Sequence, residues 1–175
     1  ADYLLSNLTD FIICCSDELK DDIIKKERLP HSKVVVIENC LDVKRYGIKI
    51  SRETIRKKYE ISSGELVFIT VARLKAGKGH EYLIEVLEEI KNLRYPFKWF
   101  FAGEGPLKES LKSKIKSLNL EDSIIFIGEV GDITDYLNAS DVFVLPSFSE
   151  GLSIALMEGM LMGLANIVTD VGSNS

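Results

Sequence analysis

Seven short apolar runs divide this chain, at 11–15, 34–37, 66–72, 97–102, 124–127, 142–145 and 166–169. They are rich in β-branched or aromatic residues, and such runs, apolar on both faces, are the pattern of strands buried inside a sheet. Between them lie segments with helical spacing, near Asp17 to Arg28, His80 to Asn92, Pro106 to Leu118, Ile133 to Ala139 and Gly151 to Gly163. Strand and helix alternate throughout, which predicts a doubly wound α/β fold around a parallel sheet, with ligands at the carboxyl ends of the strands.

A charged stretch without a strand, Asp42 to Ser63, separates the first two runs from the other five, and a helix is expected around Arg52 to Tyr59. We read it as a connector and expect residues 1–41 to finish one domain and residues 42–175 to form a second. The chain begins without Met and stops directly after a predicted strand. The expectation is a fragment of something longer, truncated at its C-terminus.

With 175 residues the chain can bury a large core. Its formal charge of -5 gives no global support for nucleic-acid binding, so an anion site has to be local. No apolar run approaches the length of a membrane span and no signal-peptide pattern opens the chain; cytoplasmic location is the expectation, with peripheral membrane association left open. Cys14, Cys15 and Cys40 lack zinc-site spacing and read as buried free thiols, Cys14 and Cys15 in a strand. No metal site is expected. His31 and His80 carry no ligand motif and read as loop or surface histidines.

One carboxylate stands alone among apolar residues. Glu158 lies between Gly151 and Leu164 in an otherwise uncharged stretch. A helix apolar on nearly every side is normally buried, and a buried carboxylate needs a partner. Glu150 precedes it by eight residues, at the predicted helix mouth, roughly 12 Å away along the axis if both were helical. A carboxylate accepts hydrogen bonds from two neighbouring hydroxyls, so a vicinal diol such as ribose suits Glu158. The amides of Gly151, Leu152 and Ser153 would then present free N–H groups to an anion.

After the third run comes Arg73-Leu74-Lys75-Ala76-Gly77-Lys78-Gly79, a glycine-containing loop with three cations that suits a diphosphate, although a solvated βα loop has the same composition. It lacks both the dinucleotide fingerprint and the phosphate loop of nucleoside triphosphatases. Gly103-Glu104-Gly105-Pro106 and Gly128-Glu129-Val130-Gly131-Asp132 close the next two strands. Turn geometry explains both, and close passage of a ligand would also call for glycine. Asp132 is a candidate helix cap.

The order Val71-Ala72-Arg73-Leu74, Lys78-Gly79, Ala102-Gly103-Glu104-Gly105-Pro106, Phe126-Ile127-Gly128, Asp141 to Ser147 and Glu150-Gly151 through Glu158 resembles the retaining glycosyltransferases of family 4, including their Glu-x7-Glu signature. The resemblance runs from about Leu66 to the C-terminus. It implies the GT-B fold, two Rossmann-like domains facing across a cleft, of which this chain resembles the C-terminal half with the tail of the N-terminal domain. It implies transfer of a sugar from a nucleotide-diphosphate sugar, UDP-, GDP- or ADP-linked, to an acceptor hydroxyl with retention and without a further cofactor. By the same resemblance Arg73 and Lys78 hold the diphosphate and support catalysis, Glu158 binds ribose and Glu150 lies near the donor sugar. The amides of Gly151, Leu152 and Ser153 assist with phosphate. Val130, Gly131 and Asp132 approach the base, and Gly103 and Gly105 line the cleft. The acceptor, a glycan or a lipid-linked molecule, would be bound through the missing first domain, so the fragment alone is expected to be inactive.

There are departures from the family pattern. Asn39-Cys40-Leu41-Asp42 stands where Asn-Gly-Val-Asp is frequent at the interdomain hinge, Gly159 replaces Ala after the second Glu, and Gly163-Leu164-Ala165-Asn166 replaces Gly-x-Pro-Val. Other readings are a noncatalytic sugar-nucleotide binding module, or another GT-B enzyme such as a sugar-nucleotide epimerase or a glycogen synthase. An oxidoreductase is disfavoured by the missing dinucleotide fingerprint.

Overall fold

A computed structural model describes residues 8–90 and 95–174. The chain divides into two compact units. One contains the described residues up to Leu41, with Ser149–Ile154 and the residues from Asp170; the other contains Asp42–Phe148 and Ala155–Thr169.

In the first unit, strands β1 (Ile12–Cys14) and β2 (Val34–Val36) pair in parallel around helix α1 (Asp17–Glu27). The Ser16 hydroxyl caps α1 by accepting from the Leu19 amide at 3.2 Å, which satisfies a donor that the first helical turn leaves without a partner. Cys14, Leu29 and Val34 form the small core. All three thiols are free, but only Cys14 is buried: Cys15 is half-buried beyond the end of β1, and Cys40 is exposed.

The second unit is a five-stranded parallel sheet of β3 (Leu66–Val71), β4 (Phe97–Ala102), β5 (Ile124–Gly128), β6 (Val142–Leu145) and β7 (Ala165–Val168), in the order β5-β4-β3-β6-β7. Helices α3 (His80–Ile90) and α4 (Lys108–Ser117) pack on one face; α2 (Arg52–Lys58), α5 (Thr134–Ala139) and α6 (Ile154–Leu161) contribute to the core on the other. Alternation along β4 divides its side chains between the two cores, Phe97, Trp99 and Phe101 to one and Phe100 and Ala102 to the other. The helix expected to reach Asn92 is described as far as Ile90, and the remainder of that expectation lies outside the described residues.

The helix expected around Arg52 to Tyr59 is present as α2, and the structure adds what holds it. Arg52 and Arg56 of α2 both bind the Asp141 carboxylate, Arg56 at 2.7 Å, and donate to the Asn138, Ala139 and Ser140 carbonyls at the end of α5. Asp141 also accepts from the Val67 amide at 2.8 Å. Burial opposes its ionisation, but the Val67 amide and the two guanidinium groups outweigh it and keep the carboxyl below its ordinary value.

The expectation that changes here is His80, read as a loop or surface residue. It opens α3 with 1% of its surface exposed, and its ring packs edge-on against Phe101 with centroids 5.3 Å apart. Neither ring nitrogen has a hydrogen-bond partner among the described residues. The sheet face claims the imidazole as an apolar plate. Burial, with nearby Lys78 adding to it, pushes its pKa down to about 4. The unfolded chain takes up this proton near its ordinary value of about 6.5, so stability falls as pH drops from there toward 4. Urea titrations at pH 7 and pH 5 should differ by about 2 kcal/mol more in the wild type than in His80→Leu.

Candidate functional site

At the carboxyl ends of β3, β4 and β5 the second unit opens a cavity of about 1050 Å³. That is the scale of small-molecule sites, and the position is the one α/β sheets use for ligands. Arg73, Gly103, Gly105, Val130, Gly131, Asp132 and Glu158 all line it.

The floor is built from backbone in close contact. Beyond the strand ends the ladder continues through Ala72 N–H to Ala102 O at 3.0 Å, Leu74 N–H to Glu104 O at 2.9 Å and Gly103 N–H to Gly128 O at 2.8 Å. A Cβ at Gly103, whose φ is +139°, would stand 2.2 Å from the Ala72 carbonyl oxygen. At Gly105 it would stand 2.2 Å from that of Leu74. Backbone cannot yield as a side-chain tip does, so these glycines have a structural requirement besides any ligand.

Glu158 projects from α6, and that helix differs from expectation. It begins at Ile154 rather than Gly151, and it is not buried on every side: Ile154, Met160 and Leu161 are exposed. Its buried residues are Leu156 and Gly159, and a Cβ at Gly159 would meet the Phe143 ring at 2.8 Å, which accounts for glycine at that helical position. Glu158 is half-buried and does have a partner, the Tyr46 hydroxyl, which donates to Oε1 at 3.0 Å. Burial raises the Glu158 pKa, the Tyr46 hydrogen bond opposes that rise and Asp132 adds to it.

Tyr46 is a site residue that the sequence reading did not single out, together with Arg45 and Lys49 from the same segment. The segment is fastened from below. Asp135 Oδ1 accepts the Lys49 and Ile50 amides at 2.8 and 3.0 Å, and Lys49 Nζ pairs with Asp132 at 2.7 Å. Asp132 also accepts the Thr134 amide at 3.0 Å; with Lys49 as the main cause, its pKa is drawn down to about 2. Across the cavity wall Glu104 is paired with Lys108 at 2.6 Å. The Arg73 side chain is exposed, with no hydrogen-bond or ion-pair partner among the described residues.

Lys78 is not among the lining residues. Its loop is tied to the far side of β3: Gly77 O accepts the Phe148 amide at 2.9 Å, and Gly79 at φ +76° lies against the Pro146 carbonyl. The cavity faces the β4 side. Glu150, Gly151, Leu152 and Ser153 belong to the first unit. The Leu152 amide, expected to be free, donates to Cys15 Sγ at 3.4 Å, and the Leu152 carbonyl accepts from Asn39 Nδ2 at 2.8 Å. Local packing uses that amide because the bend at 151–153 precedes the helix and is not its first turn.

A doubly wound sheet with a cavity at its strand ends is an architecture shared by many ligand-binding α/β proteins, so the fold alone does not name the ligand. Residues 51–175 match the family model for glycosyl transferases group 1, and the chain belongs to that family. It is 32% identical over 171 residues to the UDP-Gal:alpha-D-GlcNAc-diphosphoundecaprenol alpha-1,3-galactosyltransferase of Escherichia coli, covering 95% of this chain and 44% of that protein. It is 28% identical to a Campylobacter jejuni 4-alpha-N-acetylgalactosaminyltransferase whose name specifies a diphospho-undecaprenol acceptor, over 95% of this chain and 43% of that one. In fold it superposes on Anabaena HepE in complex with UDP-glucose with a TM-score of 0.83, at 22% identity, covering 94% of this chain and 46% of that one. The chain thus spans a little under half the length of these relatives.

The glycine contacts give a direct test. In Gly105→Ala the new methyl group meets backbone, and the urea midpoint should show a loss of about 2 kcal/mol. Gly131 also lines the cavity, but a Cβ there meets nothing within 4 Å. Gly131→Ala should stay within about 0.5 kcal/mol of wild type in the same measurement.

Proposed function

We propose that this chain is the donor-binding part of a retaining family 4 glycosyltransferase, which moves a sugar from a nucleoside diphosphate to an acceptor hydroxyl. The observation that carries the reading is the presence, on one cavity at the strand ends, of an exposed arginine without a side-chain partner among the described residues and a half-buried carboxylate. Arg73 takes the diphosphate and Glu158 accepts from the ribose hydroxyls. Val130, Gly131 and Asp132 lie on the same wall, where the base would rest.

Breaking the bond between sugar and diphosphate leaves negative charge on the departing phosphate. A guanidinium already in place stabilises that charge without reorganisation, so Arg73 serves the reaction as well as binding. Lys78 is assigned to the diphosphate, and Glu150 with the Gly151 and Ser153 amides to the donor sugar and phosphate, by family resemblance alone; the Leu152 amide is withdrawn from that role. The name of the Escherichia coli relative supports a UDP-linked donor, and the names of both the Escherichia coli and Campylobacter relatives support a lipid-linked acceptor. The parent enzyme would then work in the cytoplasm, in peripheral contact with the membrane that holds its acceptor.

Calorimetric titration of the chain with UDP, GDP and ADP tests the reading. UDP should bind in preference to the other two. Arg73→Ala and Glu158→Ala should each weaken binding about tenfold, a charge-assisted hydrogen bond being worth about 1.5 kcal/mol or more. Equal affinity in all three chains removes the assignment.

A further inference from the structure

The Tyr46–Glu158 hydrogen bond joins the residue that closes a single 3-10 turn, Val43–Arg45, to a helix more than a hundred residues later in the chain, and it lies on the wall of the cavity. Tyr46 is half-buried, and its segment is held by the two amides on Asp135 and the Lys49–Asp132 pair, so the phenol has a fixed approach. It engages one carboxylate oxygen. A carboxylate offers about four acceptor sites over two oxygens, so among the described residues Oε2 and one lone pair of Oε1 stay open to a ligand diol.

We propose that Tyr46 is a positioning residue for Glu158: its hydroxyl holds Oε1 so that the carboxylate meets both hydroxyls of a ribose, making the segment 42–50 part of the machinery that recognises the sugar ring of the nucleotide. This rests on the donor-site reading above and extends it to a side chain outside the two-glutamate signature. The alternative role for Tyr46, holding the segment in place, is already filled by Asp135 and Lys49. The other ionisable groups on the cavity wall are Asp132, Glu104 and Glu129, with Arg45, Lys49 and Arg73 as the cations, and of these Asp132 acts on Glu158. Burial and Asp132 both favour the protonated acid, and the phenol opposes them. Its loss should therefore raise the pH at which Glu158 ionises.

Two measurements on Tyr46→Phe test this, since the substitution keeps the ring and removes only the hydroxyl. The first follows the Glu158 carboxyl carbon by NMR during a pH titration of the ligand-free chain, assigned by comparison with Glu158→Gln. Its midpoint should move up in Tyr46→Phe, and an unmoved midpoint overturns the proposal whether or not any nucleotide binds. The second compares UDP with 2′-deoxy-UDP at pH 7. The wild-type preference for UDP should shrink roughly fivefold, the loss of about one hydrogen bond's discrimination. Equal weakening of both nucleotides, with the preference intact, means that Tyr46 only holds the segment and overturns the positioning role. If the wild-type chain binds neither nucleotide while the Glu158 midpoint moves as expected, the donor-site reading fails and the Tyr46–Glu158 coupling stands.

Discussion

Backbone passing against backbone at the strand ends is the constraint on which this site depends. Three neighbouring strands continue their hydrogen bonding into the loops that follow, and they come close enough that Gly103 and Gly105 leave no space for a side chain. Parallel strands end on the same edge, so their loops form one concave surface, and side chains on those loops inherit its rigidity. Arg73 is one residue beyond Ala72 in this contact zone, and its position follows from the fit beneath it.

The charges divide into two kinds. Asp141, Asp132, Asp135 and Glu104 have built-in partners, and each joins two elements or fixes the start of one. Asp141 does the most structural work of these. It links α2 to β3 and to the end of α5, and so holds the root of the segment that carries Tyr46. Arg73 stands apart, exposed on the cavity with its guanidinium uncommitted among the described residues. On the proposed donor-site reading an unneutralised charge suits a diphosphate, whereas a paired arginine would have to break one contact to make another.

The sheet was legible because burial on both faces leaves a plain signature. All seven apolar runs became strands within one or two residues of their expected ends, and the glycines after β4 and β5 lie on the cavity. Glu158 was legible for a related reason, as a carboxylate in an apolar stretch has to be paired. What misled was reading composition as environment. The apolar stretch around Glu158 suggested full burial, yet α6 leaves Ile154, Met160 and Leu161 exposed; His80, polar and lacking a motif, suggested the surface and lies beneath α3 against Phe101.

Element type and order follow from local rules: period-two and period-3.6 burial, capping serines, and glycine where the chain has to turn. These act within a few residues, so one sequence suffices to read them. Which side chains meet is a matter of contacts between distant segments. Tyr46 reaches Glu158, Arg52 and Arg56 reach Asp141, and the Lys78 loop is drawn toward Pro146 on the side of β3 opposite the cavity. No spacing encodes such meetings, because each depends on how closely strands and helices pack once the core has formed, and that packing decides which charges are paired and which are left for a ligand.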